Sequence, residues 1–126
     1  MTKPATTLKP APHPERWQFD GADAATATLV IPADAFRERQ FEIACAMTVA
    51  LTPGVEAPWM QMTVQANGAQ QWQRRMPAHA GGEWDGLDFR FSRRVPVGQA
   101  LRIAVAVAGA GVRRRSLLIE ADEIQS

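Results

Sequence analysis

Little in this sequence is equipped for chemistry. Its 126 residues include one cysteine, Cys45, so no disulfide can form within the chain. Cys45 falls on the apolar side of an alternating run, which predicts a buried small hydrophobe rather than a reactive thiol, since reactive thiols sit in exposed, electropositive surroundings. There are two histidines, His13 and His79, and no His/Cys cluster with metal-ligand spacing, so no metal is expected. No glycine-rich phosphate loop and no nucleophile elbow is present. No cofactor and no catalytic residue is therefore expected, and the chain reads as a non-enzyme. The nearest approach to a catalytic group is His79 with Glu83 and Asp85, but these carboxylates lie two apart in a loop, where solvating a turn is the expected role.

Other absences narrow the partners. No apolar run approaches the ~18 residues of a membrane helix. The N-terminal stretch lacks the apolar segment of a secretory signal, so a cytoplasmic protein is expected, with a mature domain trimmed of its signal as the alternative. Fourteen basic against 13 acidic residues leave a net charge of +1, which gives no electrostatic reason to expect nucleic acid or an anionic membrane. The basic residues are nearly all arginine and alanine is abundant, a bias expected of a GC-rich bacterial genome.

What is present is alternation. From Phe41 to Leu51, Phe41, Ile43, Cys45, Met47, Val49 and Leu51 fall on one side, and Glu42, Ala44, Ala46, Thr48 and Ala50 on the other. A strand points successive side chains to opposite faces, so this predicts a long strand with one face in a core. Leu101 to Val107 repeats the pattern, with Arg102, Ala104 and Ala106 turned outward. Shorter strands are predicted at Trp17–Phe19, Thr26–Ile31, Met60–Val64, Gln70–Met76, Leu87–Val95 and Val112–Ala121. Ala33 to Arg39 predicts one helical turn capped by Asp34. Pro77 to Gly86 predicts a loop, and the last residues a frayed end.

Asn67-Gly68 is the strongest hairpin signal. A two-residue loop sets Thr63 opposite Trp72. A three-residue loop with Gly68 left-handed sets Val64 opposite Trp72 and Met60 opposite Met76, and the hydrophobic pattern favours it. It leaves Arg74 facing inward beside Met62. It also gathers Gln61, Thr63, Gln65, Gln71, Gln73 and Arg75 on the outer face.

Seven or eight strands with regular turn signals and no substantial helix predict an all-β fold, a two-sheet antiparallel β-sandwich of jelly-roll type. Residues 1–15 carry four prolines and little that is apolar, predicting a flexible tail or linker, with recognition as a Pro-rich peptide the alternative; residues 16–126 form one sandwich domain.

Three surface features bear on function. The outward alanines, Ala44-Ala46-Ala50 and Ala104-Ala106-Ala108, form a smooth shelf if their strands are neighbours. Such a shelf is either covered within the chain or a partner surface, most simply of a homodimer. The polar hairpin face with Trp59 and Trp84 has the parts of a saccharide site: amides and arginine read hydroxyls, and exposed indoles stack on sugar rings. That reading selects Trp59, Gln61, Gln73, Arg75, Trp84 and Asp85 as ligand-binding residues. The pairs and triplet at Arg74-Arg75, Arg93-Arg94 and Arg113-Arg114-Arg115 read as solvated edge charges that discourage strand-to-strand aggregation, rather than phosphate forks.

The run MQMTVQANG, then a Trp-bearing loop, then LRIAVAVAGAGVRRRSLLIEAD as a closing hairpin, resembles the carbohydrate-binding-module and galactose-binding-like jelly rolls. The resemblance spans Trp17 to Asp122 in strand rhythm and carries over no binding residue. It implies a non-catalytic module with a saccharide ligand. A protein-interaction or assembly module, oligomerising through the alanine-rich faces, is the alternative.

Overall fold

A computed structural model describes residues 13–79 and 83–125. It has eight strands: β1 (Arg16–Asp20), β2 (Thr26–Ile31), β3 (Arg39–Leu51), β4 (Trp59–Ala66), β5 (Ala69–Pro77), β6 (Trp84–Val95), β7 (Leu101–Ala110) and β8 (Val112–Glu123). They form two four-stranded antiparallel sheets, ordered β1-β8-β3-β6 and β2-β7-β4-β5. This is the two-sheet sandwich expected, with jelly-roll strand order.

The order follows from one turn. Among the described residues, β4 and β5 are the only sequence neighbours that pair. Outward from the Asn67-Gly68 tip the chain pairs back along itself: Met62 with Arg74, Cys45 with Phe89, Leu29 with Ile103, Trp17 with Ala121. That long ribbon then rolls up, adding the β3–β8 and β4–β7 ladders. Rolling brings the apolar sides together. Phe41, Ile43, Cys45, Met47 and Val49 of β3 meet Met60, Met62 and Val64 of β4, with Leu101, Ile103, Leu117 and Ile119. Each such buried side chain contributes roughly 1.5–3 kcal/mol. Burial pushes the Cys45 thiol up to about 12, consistent with a packing role.

The hairpin register is the favoured one, Val64 opposite Trp72 and Met60 opposite Met76, but it arises differently. The loop has two residues, closed by Ala66 opposite Ala69, with both Asn67 (φ 49) and Gly68 (φ 83) left-handed. The register then shifts between Val64 and Gln65, leaving Gln71 as the extra residue of a bulge. Arg74 pairs with Met62 yet is exposed, because β5 is an edge strand.

Other expectations need correction. Residues 33–38 form no helix; Asp34 Oδ1 instead accepts from the N–H groups of Phe36 (2.8 Å) and Arg37 (3.0 Å), closing a turn. Strand β6 begins at Trp84, three residues earlier than expected, because Ala50 pairs with Trp84. The closing hairpin is not a hairpin: β7 and β8 lie in different sheets. The chain crosses between them at Gly111 (φ 71), where an added Cβ would stand 2.6 Å from Val55 Cγ1.

The alanine rows also separate. Ala44, Ala46 and Ala50 lie on β3 in one sheet, and Ala104, Ala106 and Ala108 on β7 in the other. They back the two opposite outer faces and form no common shelf. The C-terminal end is not frayed through Ile124, since Glu123 N–H donates to Glu15 O (2.9 Å) and Ile124 N–H to Gln40 O (2.8 Å). Of the expected tail, residues 1–12 lie outside the described residues, and Glu15 is tied to the sandwich.

Candidate functional site

The outer face of β4 and β5 brings four of the six selected residues together. In β4 the inward Met60, Met62 and Val64 are buried, so Trp59, Gln61, Thr63 and Gln65 turn outward. The bulge at Gln71 then fixes what stands beside them: Arg75 opposite Gln61, and Gln73 opposite Thr63. Arg75 Nε donates to Gln61 Oε1 (2.9 Å), and Gln73 Nε2 donates to Thr63 Oγ1 (3.0 Å). The Arg75 guanidinium lies over the Trp59 ring, 3.9 Å from its centre. Trp59 is half-buried beneath it.

On the far side of β4 runs β7, with Ala108 opposite Gln61, Ala106 opposite Thr63 and Ala104 opposite Gln65. Short methyl groups keep this flank low. The result is a flat face whose polar side chains are held by one another. Among the described residues Arg75 uses only Nε in these bonds, and neither its terminal NH2 groups, the Gln61 amide N–H groups nor the Gln73 carbonyl has a partner.

Trp84 and Asp85 do not join this face. Trp84 opens β6 on the other sheet, 58% exposed, so the two selected indoles point from opposite sides of the sandwich. It stands over a shallow groove of about 290 Å3 with Ala46, Thr48 and Asp88, where Gly86 contributes no side chain. Asp85 is half-buried and its carboxylate closes the loop: Oδ2 accepts from His79 N–H (2.7 Å) and Oδ1 from Gly86 N–H (2.8 Å). Among the described residues no group of three His, Cys, Asp and Glu side chains is placed to hold a metal ion.

One polar cluster escaped the sequence reading. Arg37 donates through Nη1 to Glu123 Oε2 (2.6 Å) and through Nη2 to Glu15 Oε2 (2.8 Å). Arg39, 4% exposed, donates to Glu15 Oε1 (2.7 Å) and to the Pro32 carbonyl (2.7 Å). Trp17 Nε1 also donates to Glu15 Oε1 (3.0 Å). The Arg37 guanidinium holds the Glu123 carboxyl below its usual range. The cluster joins the entry to β1, the start of β3 and the end of β8. Each charge is answered by another, so it acts as a clasp on the two ends of the domain. Sequence gave no signal for it, since Glu15 and Glu123 are 108 residues apart.

These features define a jelly-roll β-sandwich with a polar, aromatic-edged outer sheet face. Comparison with models of protein families and with curated proteins finds no match. Among solved structures, the crystal structure of dimeric latent PorU from Porphyromonas gingivalis is similar, with a TM-score of 0.55 at 14% sequence identity. The similarity covers 85% of this chain and 10% of that one, so this chain spans about a tenth of PorU's length. At that identity the likeness is one of fold.

Proposed function

We propose that this domain is a non-catalytic module that binds a saccharide on the outer face of β4 and β5. The observation that supports it is the convergence of Trp59, Gln61, Gln73 and Arg75 into one row, cross-braced by side-chain hydrogen bonds. Bracing lowers the entropy lost on binding, because these long side chains are already ordered. The unused NH2 groups of Arg75 match the spacing of two adjacent sugar hydroxyls, and Gln61 and Gln73 supply a further donor and acceptor. The exposed edge of Trp59 and the alanine methyls of β7 offer apolar surface to the carbon side of a ring.

Titration with a glycan panel, followed by tryptophan fluorescence, tests this. One sugar class should give a saturable change that Arg75→Ala and Trp59→Ala abolish and Trp84→Ala leaves intact. A panel without any response, or a response that only Trp84→Ala removes, would sink the assignment. The second reading, an assembly module, is favoured by the open edge of β6 rather than by the alanine faces, which lie on separate sheets.

A further inference from the structure

Four strands of the sandwich lie at sheet edges: β1 and β6 in one sheet, β2 and β5 in the other. An edge exposes unpaired N–H and C=O groups and is a template for another strand. Three of the four are poor at pairing with a copy of themselves. β1 has five residues, and its charges are spent: Arg16 pairs with Asp122 (3.1 Å), and Asp20 accepts from Ala22 N–H (2.8 Å). β2 has six residues and no charge to set a register. β5 carries Arg74 and Arg75 without an acid and ends in Pro77.

β6 differs. It is 12 residues long, and among the described residues Asp88, Arg90 and Arg93 have no ion pair or side-chain hydrogen bond. The Leu51 N–H donates to Glu83 O (3.1 Å), which sets the phase of the β3–β6 ladder. Odd-numbered residues of β6 therefore bond to β3. Even-numbered residues, Trp84 to Arg94, turn their backbone groups to the open edge.

From this edge we infer that the protein forms a two-fold dimer by antiparallel pairing of β6 with β6 of a second copy, centred on Phe89. In that register Asp88 stands opposite Arg90 of the other copy, and Asp85 opposite its Arg93, with each pair formed twice by symmetry. Asp85 accepts one hydrogen bond on each oxygen and keeps a lone pair on each for Arg93. On the inner side, Phe89 meets its own copy and Leu87 meets Phe91. This extends a stack already present in one chain, where Trp72 lies 4.7 Å from Phe89 at an 8° interplanar angle and Phe89 lies 5.5 Å from Phe91. Sliding one step in either direction sets Arg90 against its own copy, or Asp88 against its own, so like charges oppose the adjacent registers. Arg93 is half-buried on the inward side of an edge strand, a placement that repels foreign strands. Only a strand carrying an acid at the right place relieves it, and β6 itself does. The interface lies on a different sheet from the proposed saccharide platform and does not depend on it.

Sedimentation velocity over a micromolar to submillimolar range tests the dimer, using the full chain. Wild type should sediment at twice the chain mass at the upper end. Asp88→Arg and Arg90→Asp each place like charges opposite one another, and symmetry counts every substitution twice. Each should weaken dimerisation by about tenfold or more. The double variant Asp88→Arg/Arg90→Asp swaps the pair and should restore it. Both side chains are exposed, and circular dichroism confirms that each variant is folded. A monomeric wild type, a dimer indifferent to the single substitutions, or a double variant that stays monomeric would each overturn the proposal.

Discussion

Arg75 and Trp59 sit on adjacent strands of one hairpin, and the guanidinium of the first covers the ring of the second at 3.9 Å. The contact orders a long cation on a sheet surface and hides one face of an indole. It has a cost for any ligand, which must stack on the ring's remaining surface or on the guanidinium itself. Arg75→Ala removes the cover. At an exposed site such a contact is worth about 0.5–1 kcal/mol, so the variant should lose no more than about 1 kcal/mol of stability. Its tryptophan emission should shift to the red as Trp59 meets water. Urea unfolding and emission spectra check both, and an unshifted spectrum would show that Arg75 does not shield the ring.

The two sides of β3 should respond oppositely to charge. Met47 is 1% exposed, and its neighbour Ala46 turns to the outer face. Met47→Asp puts a carboxylate between the buried Leu87 and Leu117 of the flanking strands without a partner, a penalty on the order of 5 kcal/mol or more, comparable with the whole stability of a domain this size. Ala46→Asp should stay within about 1 kcal/mol of wild type. Circular dichroism and thermal melts separate the two, and a folded Met47→Asp variant would reverse the assignment of faces.

That alternation made β3 legible in the sequence. Phe41, Ile43, Cys45, Met47 and Val49 share a face because only one side of the strand is buried. Which sheet a strand joins leaves no such trace. Ala44-Ala46 and Ala104-Ala106 show the same pattern whether their strands are neighbours or back opposite faces, since pairing is decided by partners far along the chain. The selected site divided for the same reason. Trp59 and Trp84 each begin a strand, and only the rolled topology sends them to opposite sides. The hairpin register was visible because a shift of one residue would have turned Trp72 and Met76 away from the apolar side of Val64 and Met60. Its cause, the bulge at Gln71, was not, because Asn67-Gly68 suits two-residue and longer loops alike.

The clasp between the termini predicts a pH dependence. The Glu123 carboxyl is held below its ordinary value of 4.5, chiefly by the hydrogen bond from Arg37, against an opposing push from burial. A carboxyl lowered by folding contributes stability that is complete above its unfolded-state pKa and is lost as pH falls through the folded-state pKa. Stability should therefore hold from neutral pH down to about 4.5 and then decline. Glu123→Gln should lower stability at neutral pH and flatten that decline. Unfolding curves recorded between pH 7 and pH 3 test it, and an unchanged acid slope in the variant would remove Glu123 from the account.

The Asn67-Gly68 turn should govern the rate of folding. Both residues are left-handed, as a two-residue turn between twisted strands requires. Among the described residues nothing lies within 4 Å of where a Cβ on Gly68 would stand, so Gly68→Ala acts through backbone strain. Holding an alanine left-handed costs about 1–2 kcal/mol. Asn67 also joins the tip to the next strand: its N–H donates to Arg102 O (2.8 Å), and its Oδ1 accepts from Arg102 N–H (2.8 Å). Every outer pair of the ribbon closes a longer loop than the pair inside it, so the inner pairs carry the smallest entropy of closure. If folding zips outward from this tip, Gly68→Ala should slow folding and leave unfolding nearly unchanged. A substitution far out on the ribbon, such as Ile119→Val, should mainly speed unfolding. Stopped-flow folding and unfolding arms for the two variants decide the matter. A Gly68→Ala variant whose loss appears in the unfolding rate would mean that the sandwich assembles first from the β3–β8 and β4–β7 ladders and closes its hairpin late.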